Sequence, residues 1–206
     1  MKAIIFDMDG TLIDSMWIWP EIDEYYVKKY NLSLPEDFHK AIEGKGYRET
    51  AQYFAEVLGV PKSVESIMKE WTTLAYRKYT EEVRLKPGAD RLLAYGKEKG
   101  ILFGIATSNG RELVEAVLKA LHIRDYFSSD VYLKVAEDLK VDPKDCLVFE
   151  DVPMGILAGK RAGMRVGAIY DAFSEKQDEE KKKLADFYIR DFLDMMEKIN
   201  GEEKNE

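Results

Sequence analysis

The chain has 206 residues, of which 46% are hydrophobic and 12% aromatic, so it can build a substantial core and is not expected to be disordered. Its formal net charge of -8 at pH 7 argues against a nucleic-acid-binding protein, which would need a basic face. Cys146 is the only cysteine, which excludes an intramolecular disulfide and a multi-cysteine zinc site.

The beginning of the chain does not resemble a targeting segment. The run from Met1 to Phe6 reaches the acidic Asp7 too soon for the apolar part of a signal peptide. No apolar stretch approaches the length that spans a bilayer. We therefore expect a soluble, cytoplasmic protein with neither a nucleic-acid nor a membrane partner; the sequence does not indicate its oligomeric state.

Short apolar runs alternate with helical patterns along most of the chain, which predicts buried parallel strands joined by helices. The fold class expected is α/β, with a Rossmann-like parallel sheet and helices on both faces. The predicted strands are Ala3–Phe6, Ile101–Ala106, Leu147–Phe149, Val166–Tyr170 and a weaker Phe187–Ile189. The predicted helices are Ala89–Lys99, Arg111–Leu121, Val131–Leu139 and Gly155–Ala162.

A block of different character follows the first strand. Residues 16–80 hold all three tryptophans and show helical spacing of apolar side chains, as at Ile22, Tyr26 and Tyr30. We expect this block to be an inserted helical cap domain, with residues 1–15 and 81–206 forming the catalytic core. Further along, the charged run from Asp178 to Lys183 predicts a solvated helix face.

The strongest chemical signal is the sequence from Phe6 to Leu12, at the end of the first predicted strand. Ligands bind at the carboxyl ends of parallel strands, so Asp7 stands where a reacting group could lie. Asp7 and Asp9 would repel each other unless a cation lies between them. A simple Asp-Gly turn after a strand is the alternative for this segment taken alone.

Two further strand ends carry polar groups. Thr107 offers a hydroxyl, and the turn through Ser108 and Asn109 offers backbone N–H groups that could hold an anion; an ordinary helix N-cap explains Ser108 or Asn109 equally well. Glu150 and Asp151 end the next strand, where adjacent ionised acids need a cation or water. Together these three strand ends predict a site for a hard divalent ion, with Mg²⁺ the best candidate.

On these residues the chain resembles the haloacid dehalogenase superfamily, in the branch of phosphatases and beta-phosphoglucomutases that carries a helical cap after the first motif. The stretch from Asp7 to Thr11 is similar to motif one, Thr107 to Asn109 to motif two, and Glu150 with Asp151 to motif four. The resemblance spans nearly the whole chain. It implies a Mg²⁺-dependent phosphatase that acts on small phosphorylated metabolites, with sugar phosphates as the leading class.

The resemblance also implies roles for these residues. Asp7 would attack phosphorus to form an aspartyl-phosphate, and Asp9 would act as general acid and then general base. The metal ligands implied are Asp7, Asp151, the backbone carbonyl of Asp9 and, as a ligand or outer partner, Glu150. The phosphoryl-binding groups implied are Thr107, Ser108 and Asn109.

One family feature does not match. The family's third motif is a lysine on a loop after motif two, and no such loop lies between Ser129 and Asp130; Lys134 is a poor substitute because it falls inside a predicted helix. Either residues of the protein are missing from the sequence at this point, or the protein lacks the lysine. We favour missing residues, because a true deletion would also remove a strand; an intact mass clearly above 23.8 kDa would support them.

The predicted cap bears on the reaction and the substrate. Beta-phosphoglucomutases generally carry a cap histidine a dozen residues beyond the nucleophile, where this chain has Trp19, and this favours hydrolysis over mutase chemistry. Lys45, Tyr47 and Arg48 are predicted to lie in a glycine-flanked loop that could face the active site, or could simply be a turn between two helices. If the lysine is truly absent, a catalytically weakened binding protein is the remaining alternative.

Overall fold

The computed structural model describes residues 1–35, 38–42, 47–127 and 139–203. The strands of these residues are β1 (Ala3–Phe6), β2 (Ile13–Asp14), β3 (Arg84–Leu85), β4 (Leu102–Ile105), β5 (Cys146–Glu150), β6 (Arg165–Ile169) and β7 (Phe187–Ile189). Five of them form one parallel sheet in the order β4-β1-β5-β6-β7, and β2 pairs with β3 in a separate antiparallel ribbon. The predicted α/β class with a Rossmann-like parallel sheet is confirmed.

Nine α-helices lie within the described residues. They are α1 (Ile18–Tyr30), α2 (Phe38–Ile42), α3 (Tyr47–Glu56), α4 (Val64–Glu81), α5 (Ala89–Glu98), α6 (Arg111–Ala120), α7 (Pro153–Arg161), α8 (Asp178–Leu184) and α9 (Phe192–Glu203). Short 3₁₀ turns occur at Arg124–Tyr126, Pro143–Asp145 and Glu175–Gln177. The predicted helix at 131–139 and the Ser129/Asp130 junction fall almost wholly in 128–138, outside the described residues.

Aromatic side chains fill the centre of the sheet domain. Phe6 is fully buried on β1, which lies between β4 and β5, and its ring lies 6.0 Å from that of Phe103 and 5.8 Å from that of Phe149, measured between centroids. Phe192, at the start of α9, packs edge-on against Phe6 at 5.6 Å and against Phe149 at 5.1 Å. This packing holds β1, β4 and β5 in register and so determines where their carboxyl ends lie.

The chain divides into two compact units, Met1–Met16 with Val83–Glu206, and Trp17–Glu82. The sheet belongs to the first unit. The second unit contains α1 to α4, and its core includes Tyr26, Phe54 and Trp71, whose rings lie 5.1–5.9 Å apart. In this helical unit the carboxylate of Glu70 accepts a hydrogen bond from Tyr26 at 2.8 Å and pairs with Lys62 at 2.6 Å.

The charged run at 178–183 forms α8, but the expectation of a fully solvated face was wrong for one residue. The side chain of Lys181 has no exposed surface. Its Nζ donates to Ile169 O at 3.2 Å and to Ser174 Oγ at 3.0 Å, and it pairs with Asp178 at 2.6 Å. A lysine is tolerated in this position because carbonyl, hydroxyl and carboxylate oxygens replace its lost hydration.

Among the described residues, no helix combines the length and the apolar composition that crossing a bilayer requires.

Candidate active site

The parallel register of β1 and β5 brings motif one and motif four to one edge of the sheet. Phe6 pairs with Phe149, so Asp7 and Glu150 are the residues that follow on adjacent strands. The backbone N–H of Asp7 donates to Phe149 O at 3.0 Å, which continues the ladder to the point where the acid emerges. On the other side of β1, Phe6 pairs with Ile105, so the segment through Thr107 leaves β4 at the same edge.

Three acids meet at this edge and form what we call the carboxylate cluster: Asp7, Glu150 and Asp151. Each offers one carboxylate oxygen within 4.8 Å of the others. Asp151 is 2% exposed, and the other two are half-buried. Carboxylates this close repel one another strongly when ionised, because little water separates them.

Burial and repulsion raise the pKa of every member of the carboxylate cluster. The pKa of Asp7 rises to about 9, first through burial and then through the negative charges of Glu150, Asp151 and Asp9. Burial, with the charge of Asp151, raises the pKa of Glu150 to about 7. The pKa of Asp151 rises to about 6 through burial and the nearby charge of Asp171, against the lowering effect of a hydrogen bond from Thr11. A bound cation could neutralise these carboxylates in place of protons, so the cluster is suited to a cation.

The donor atoms fit a hard divalent cation. Among the described residues, Glu150 Oε2 and Asp151 Oδ2 are buried without a hydrogen-bond partner. The other oxygen of Asp151, Oδ1, accepts the hydroxyl of the fully buried Thr11 at 3.1 Å, so Oδ2 is the atom left to coordinate. An all-oxygen carboxylate set is typical of Mg²⁺ rather than of softer metals.

Gly10 allows the backbone to approach this cluster. Its φ is +76°, a conformation that favours glycine, and a Cβ at this position would lie 2.5 Å from Asp151 Oδ2. A larger residue would therefore displace the coordinating oxygen. The glycine of motif one is required here for both backbone conformation and space.

The second motif contacts Asp9. The amide Nδ2 of Asn109 donates to Asp9 Oδ2, and the hydroxyl of the buried Ser15 donates to Asp9 Oδ1 at 2.6 Å. Thr107 Oγ1 accepts the backbone N–H of Asn109 at 3.2 Å, while Ser108 is exposed. Asp9 is thus held by two donors, and the Thr107–Asn109 turn lies beside it.

Comparison with known proteins bears on this arrangement. The sequence model of haloacid dehalogenase-like hydrolases matches residues 1–163, which is most of the chain. The chain belongs to this family. The predicted family membership and the predicted class of enzyme, a phosphatase-type hydrolase, are confirmed by this match and by the named phosphatases among its relatives.

Individual relatives cover most of this haloacid dehalogenase-like hydrolase. A phosphorylated carbohydrates phosphatase of Thermotoga maritima is 31% identical, over 80% of this chain and 82% of that protein. Hexitol phosphatase A of Escherichia coli is 30% identical, over 82% of each. A crystal structure from Thermotoga maritima, provisionally named a beta-phosphoglucomutase, superimposes with a TM-score of 0.77 at 28% identity, covering 92% of this chain and 94% of that one.

The predicted specificity residues of this hydrolase lie in the helical unit. Tyr47 and Arg48 form the first turn of α3, so the expectation that they belong to a loop was wrong; Lys45 lies outside the described residues. The hydroxyl of Tyr47 donates to Met68 O at 3.0 Å, and Arg48 pairs with Glu65 at 2.7 Å. Whether any of the three contacts a substrate stays a prediction.

Several residues of the hydrolase that bear on the site were not found from the sequence. The sequence pattern identifies Thr11 only as part of motif one, and it does not link Ser15 to Asp9. Their position just after the Gly10 turn could indicate contact with these acids, because a chain that turns back over the end of a strand brings the hydroxyls that follow the turn close to that end. No local pattern indicates the ion pair of Lys86 with Asp171, which are far apart in sequence and joined at 2.6 Å.

Proposed function

We propose that this protein is a Mg²⁺-dependent phosphatase that hydrolyses small phosphorylated metabolites, with sugar phosphates as the leading class, through an aspartyl-phosphate intermediate. The observation that carries this proposal is the carboxylate cluster, whose buried Glu150 Oε2 and Asp151 Oδ2 have no hydrogen-bond partner among the described residues. A cation held there would have Asp7, the acid that directly follows β1, among its ligands. We also propose that the protein works in the cytoplasm.

In this proposal Asp7 is the nucleophile. A carboxylate oxygen of Asp7 attacks phosphorus while the bond from phosphorus to the leaving oxygen breaks, and Asp9 gives its proton to that oxygen. Asp9 then takes a proton from water, whose oxygen attacks the aspartyl-phosphate and releases phosphate and Asp7. The bonds from Ser15 and Asn109 to Asp9 support this role, because they orient its carboxylate.

The proposed metal ligands are Asp7, Asp151, the backbone carbonyl of Asp9 and Glu150. When bound, the ion would supply positive charge that favours ionised Asp7 and offsets its repulsion from the substrate phosphate. The proposed phosphoryl-binding groups are Thr107, Ser108 and Asn109, with the Asn109 side chain already engaged by Asp9. Lys45, Tyr47 and Arg48, within the predicted cap of residues 16–80, are the proposed substrate-specificity residues.

Phosphoryl transfer of the beta-phosphoglucomutase type is the second candidate. It is favoured by the similarity to the Thermotoga maritima structure that carries this name. Hydrolysis is favoured by Trp19, which stands where mutases of this branch generally have a cap histidine, and by relatives named as phosphatases of phosphorylated carbohydrates and hexitols. We therefore place hydrolysis first.

The test is release of phosphate from an aryl phosphate and from a panel of sugar phosphates and nucleotides, with and without Mg²⁺. We expect metal-dependent release that Asp7→Asn abolishes. Asp145→Asn is the matched control, because Asp145 lies beside Lys2 at the opposite edge of the sheet and should leave the rate unchanged. Interconversion of hexose phosphates without phosphate release would identify a mutase, and no turnover under any condition would favour a binding protein.

A further inference from the structure

An ion pair lies buried near the carboxylate cluster and is not explained by the proposed chemistry. Lys86 Nζ lies 2.6 Å from Asp171 Oδ2, and the two side chains are 11% and 2% exposed. A buried ion pair contributes little net stability, because the desolvation of both charges offsets their attraction. Its presence here therefore calls for an explanation other than stability.

The backbone of Lys86 connects this pair to motif one. Lys86 follows β3 directly, and its N–H donates to Leu12 O at 3.0 Å, next to the pairing of Ile13 with Leu85. Leu12 is adjacent to Thr11, whose hydroxyl donates to Asp151 Oδ1 at 3.1 Å. The segment that orients Asp151 is thus held in place by Lys86.

Asp171 reaches the same region from β6. It follows that strand by two residues, and β6 pairs with β5 so that Ala168 lies opposite Glu150. Asp171 Oδ1 accepts the N–H of Phe173 at 2.8 Å, which leaves Oδ2 for Lys86. The ion pair therefore ties the side chain of Lys86 to the segment that follows β6.

We propose that the Lys86–Asp171 ion pair is a positioning device for the metal site, which anchors Lys86 and through its backbone holds the Leu12 segment in place. In this way Asp151 keeps Oδ1 on Thr11 and presents Oδ2 to the cation. This inference rests on the proposed metal site. Partners that orient a ligand from outside the coordination shell commonly change metal affinity about 10–100-fold when they are removed.

The decisive variant removes both charges together. Lys86→Met/Asp171→Asn keeps the net charge of the region constant, and the asparagine oxygen can still accept the N–H of Phe173. The probe is Mn²⁺ alone, followed by electron paramagnetic resonance, with Mg²⁺ as competitor. We expect both ions to bind at least about tenfold more weakly in the double variant. A through-space charge effect or a purely structural role would leave the affinity unchanged.

Two comparisons complete the experiment. Lys86→Arg preserves the ion pair and should stay within about threefold of the unaltered affinity. Lys160→Met/Asp186→Asn removes another ion pair of the sheet unit, at 2.5 Å, and should leave metal binding unchanged. If the Lys86 double variant does not fold, Lys86→Gln/Asp171→Asn, which also removes both charges, is measured against Lys86→Arg and judged by the same tenfold criterion.

The outcomes separate this inference from the proposed function. If the unaltered protein binds Mn²⁺ and the charge-neutral double variant binds it equally well, the positioning role is overturned and the metal site stands. If the unaltered protein binds neither ion, the metal site and the positioning role fail together.

Discussion

The glycine at position 155 offers a test in which stability and metal binding should change in different ways. Gly155 is the third residue of α7, and a Cβ there would lie 2.1 Å from both Cδ and Oε1 of Glu150. Real Cβ atoms essentially never come closer than 3.0 Å to such neighbours, so in Gly155→Ala the Glu150 carboxylate must retreat by at least 0.9 Å (3.0 minus 2.1). The end of a glutamate side chain can move this far without disturbing the helix.

The expected magnitudes follow from that displacement. Alanine is favoured over glycine inside a helix by about 0.8–1.0 kcal/mol, so the free energy of unfolding without metal should be unchanged or rise by up to about 1 kcal/mol. Metal ligands need to be held within about 0.5 Å of their working positions. Because the required shift is larger, we expect Mn²⁺ affinity to fall at least about tenfold.

Gly159→Ala, one helical turn further along α7, is the matched control. A Cβ at Gly159 would lie 2.8 Å from Val166 Cγ2 and 3.6 Å from Val148 Cβ, in the hydrophobic core rather than at the site. Overpacking should lower the free energy of unfolding by about 1–3 kcal/mol and leave metal affinity within about twofold. Chemical denaturation and Mn²⁺ titration by electron paramagnetic resonance measure the two quantities. Equal metal affinity in Gly155→Ala and the unaltered protein would refute a role for Glu150 at the cation.

Three further predictions concern the same edge of the sheet. In metal-free protein the carboxylate cluster has raised pKa values, of about 6 to about 9, so the folded state binds more protons than the unfolded state. The free energy of unfolding should therefore fall as pH rises toward 9. Chemical denaturation that gives the same free energy of unfolding over this range would contradict it. Thr11→Val removes the donor to Asp151, so it should lower the free energy of unfolding by about 1–3 kcal/mol and weaken Mn²⁺ binding. Thr11→Ser keeps the hydroxyl and should retain both the stability and the Mn²⁺ affinity. Equal behaviour of the two variants in denaturation and titration would count against the Thr11–Asp151 hydrogen bond. Asn109→Asp sets a second negative charge against Asp9 and should lower kcat for an aryl phosphate by about 10²-fold or more, which a near-normal steady-state rate would disprove.

The strands and the acids that follow them could be predicted because their signals are local. All five predicted strands match the observed ones to within a residue at each end, and Ala3–Phe6 and Phe187–Ile189 match at both ends. Parallel pairing then requires that residues after those strands, such as Asp7 and Asp151, meet at one edge. The chemistry of that edge is therefore readable from periodicity and from strand-end composition.

The residues that were missed depend on contacts between distant segments. Lys86 lies before Pro87 and Gly88, where a lysine looks like an ordinary exposed residue, and its partner Asp171 follows a different strand. Lys181 belongs to a charged run whose pattern predicts solvation, yet its environment is set by Ser174 and the end of β6. Tertiary packing decides these positions, and it leaves no periodic trace in the sequence.

Charge balance at the described edge argues for one more cation. Asp7, Asp9, Glu150 and Asp151 contribute four negative charges when ionised, while Lys86 and Asp171 neutralise each other. A divalent ion offsets two of the four, and protonation of Asp9 for its acid role removes a third. One negative charge would still face an arriving phosphate, which ordinarily carries a charge near -2 itself. A positioned lysine of the kind the family has in its third motif would correct this deficit, and this is a physical reason to measure the intact mass against 23.8 kDa before the Ser129/Asp130 junction is taken as a deletion.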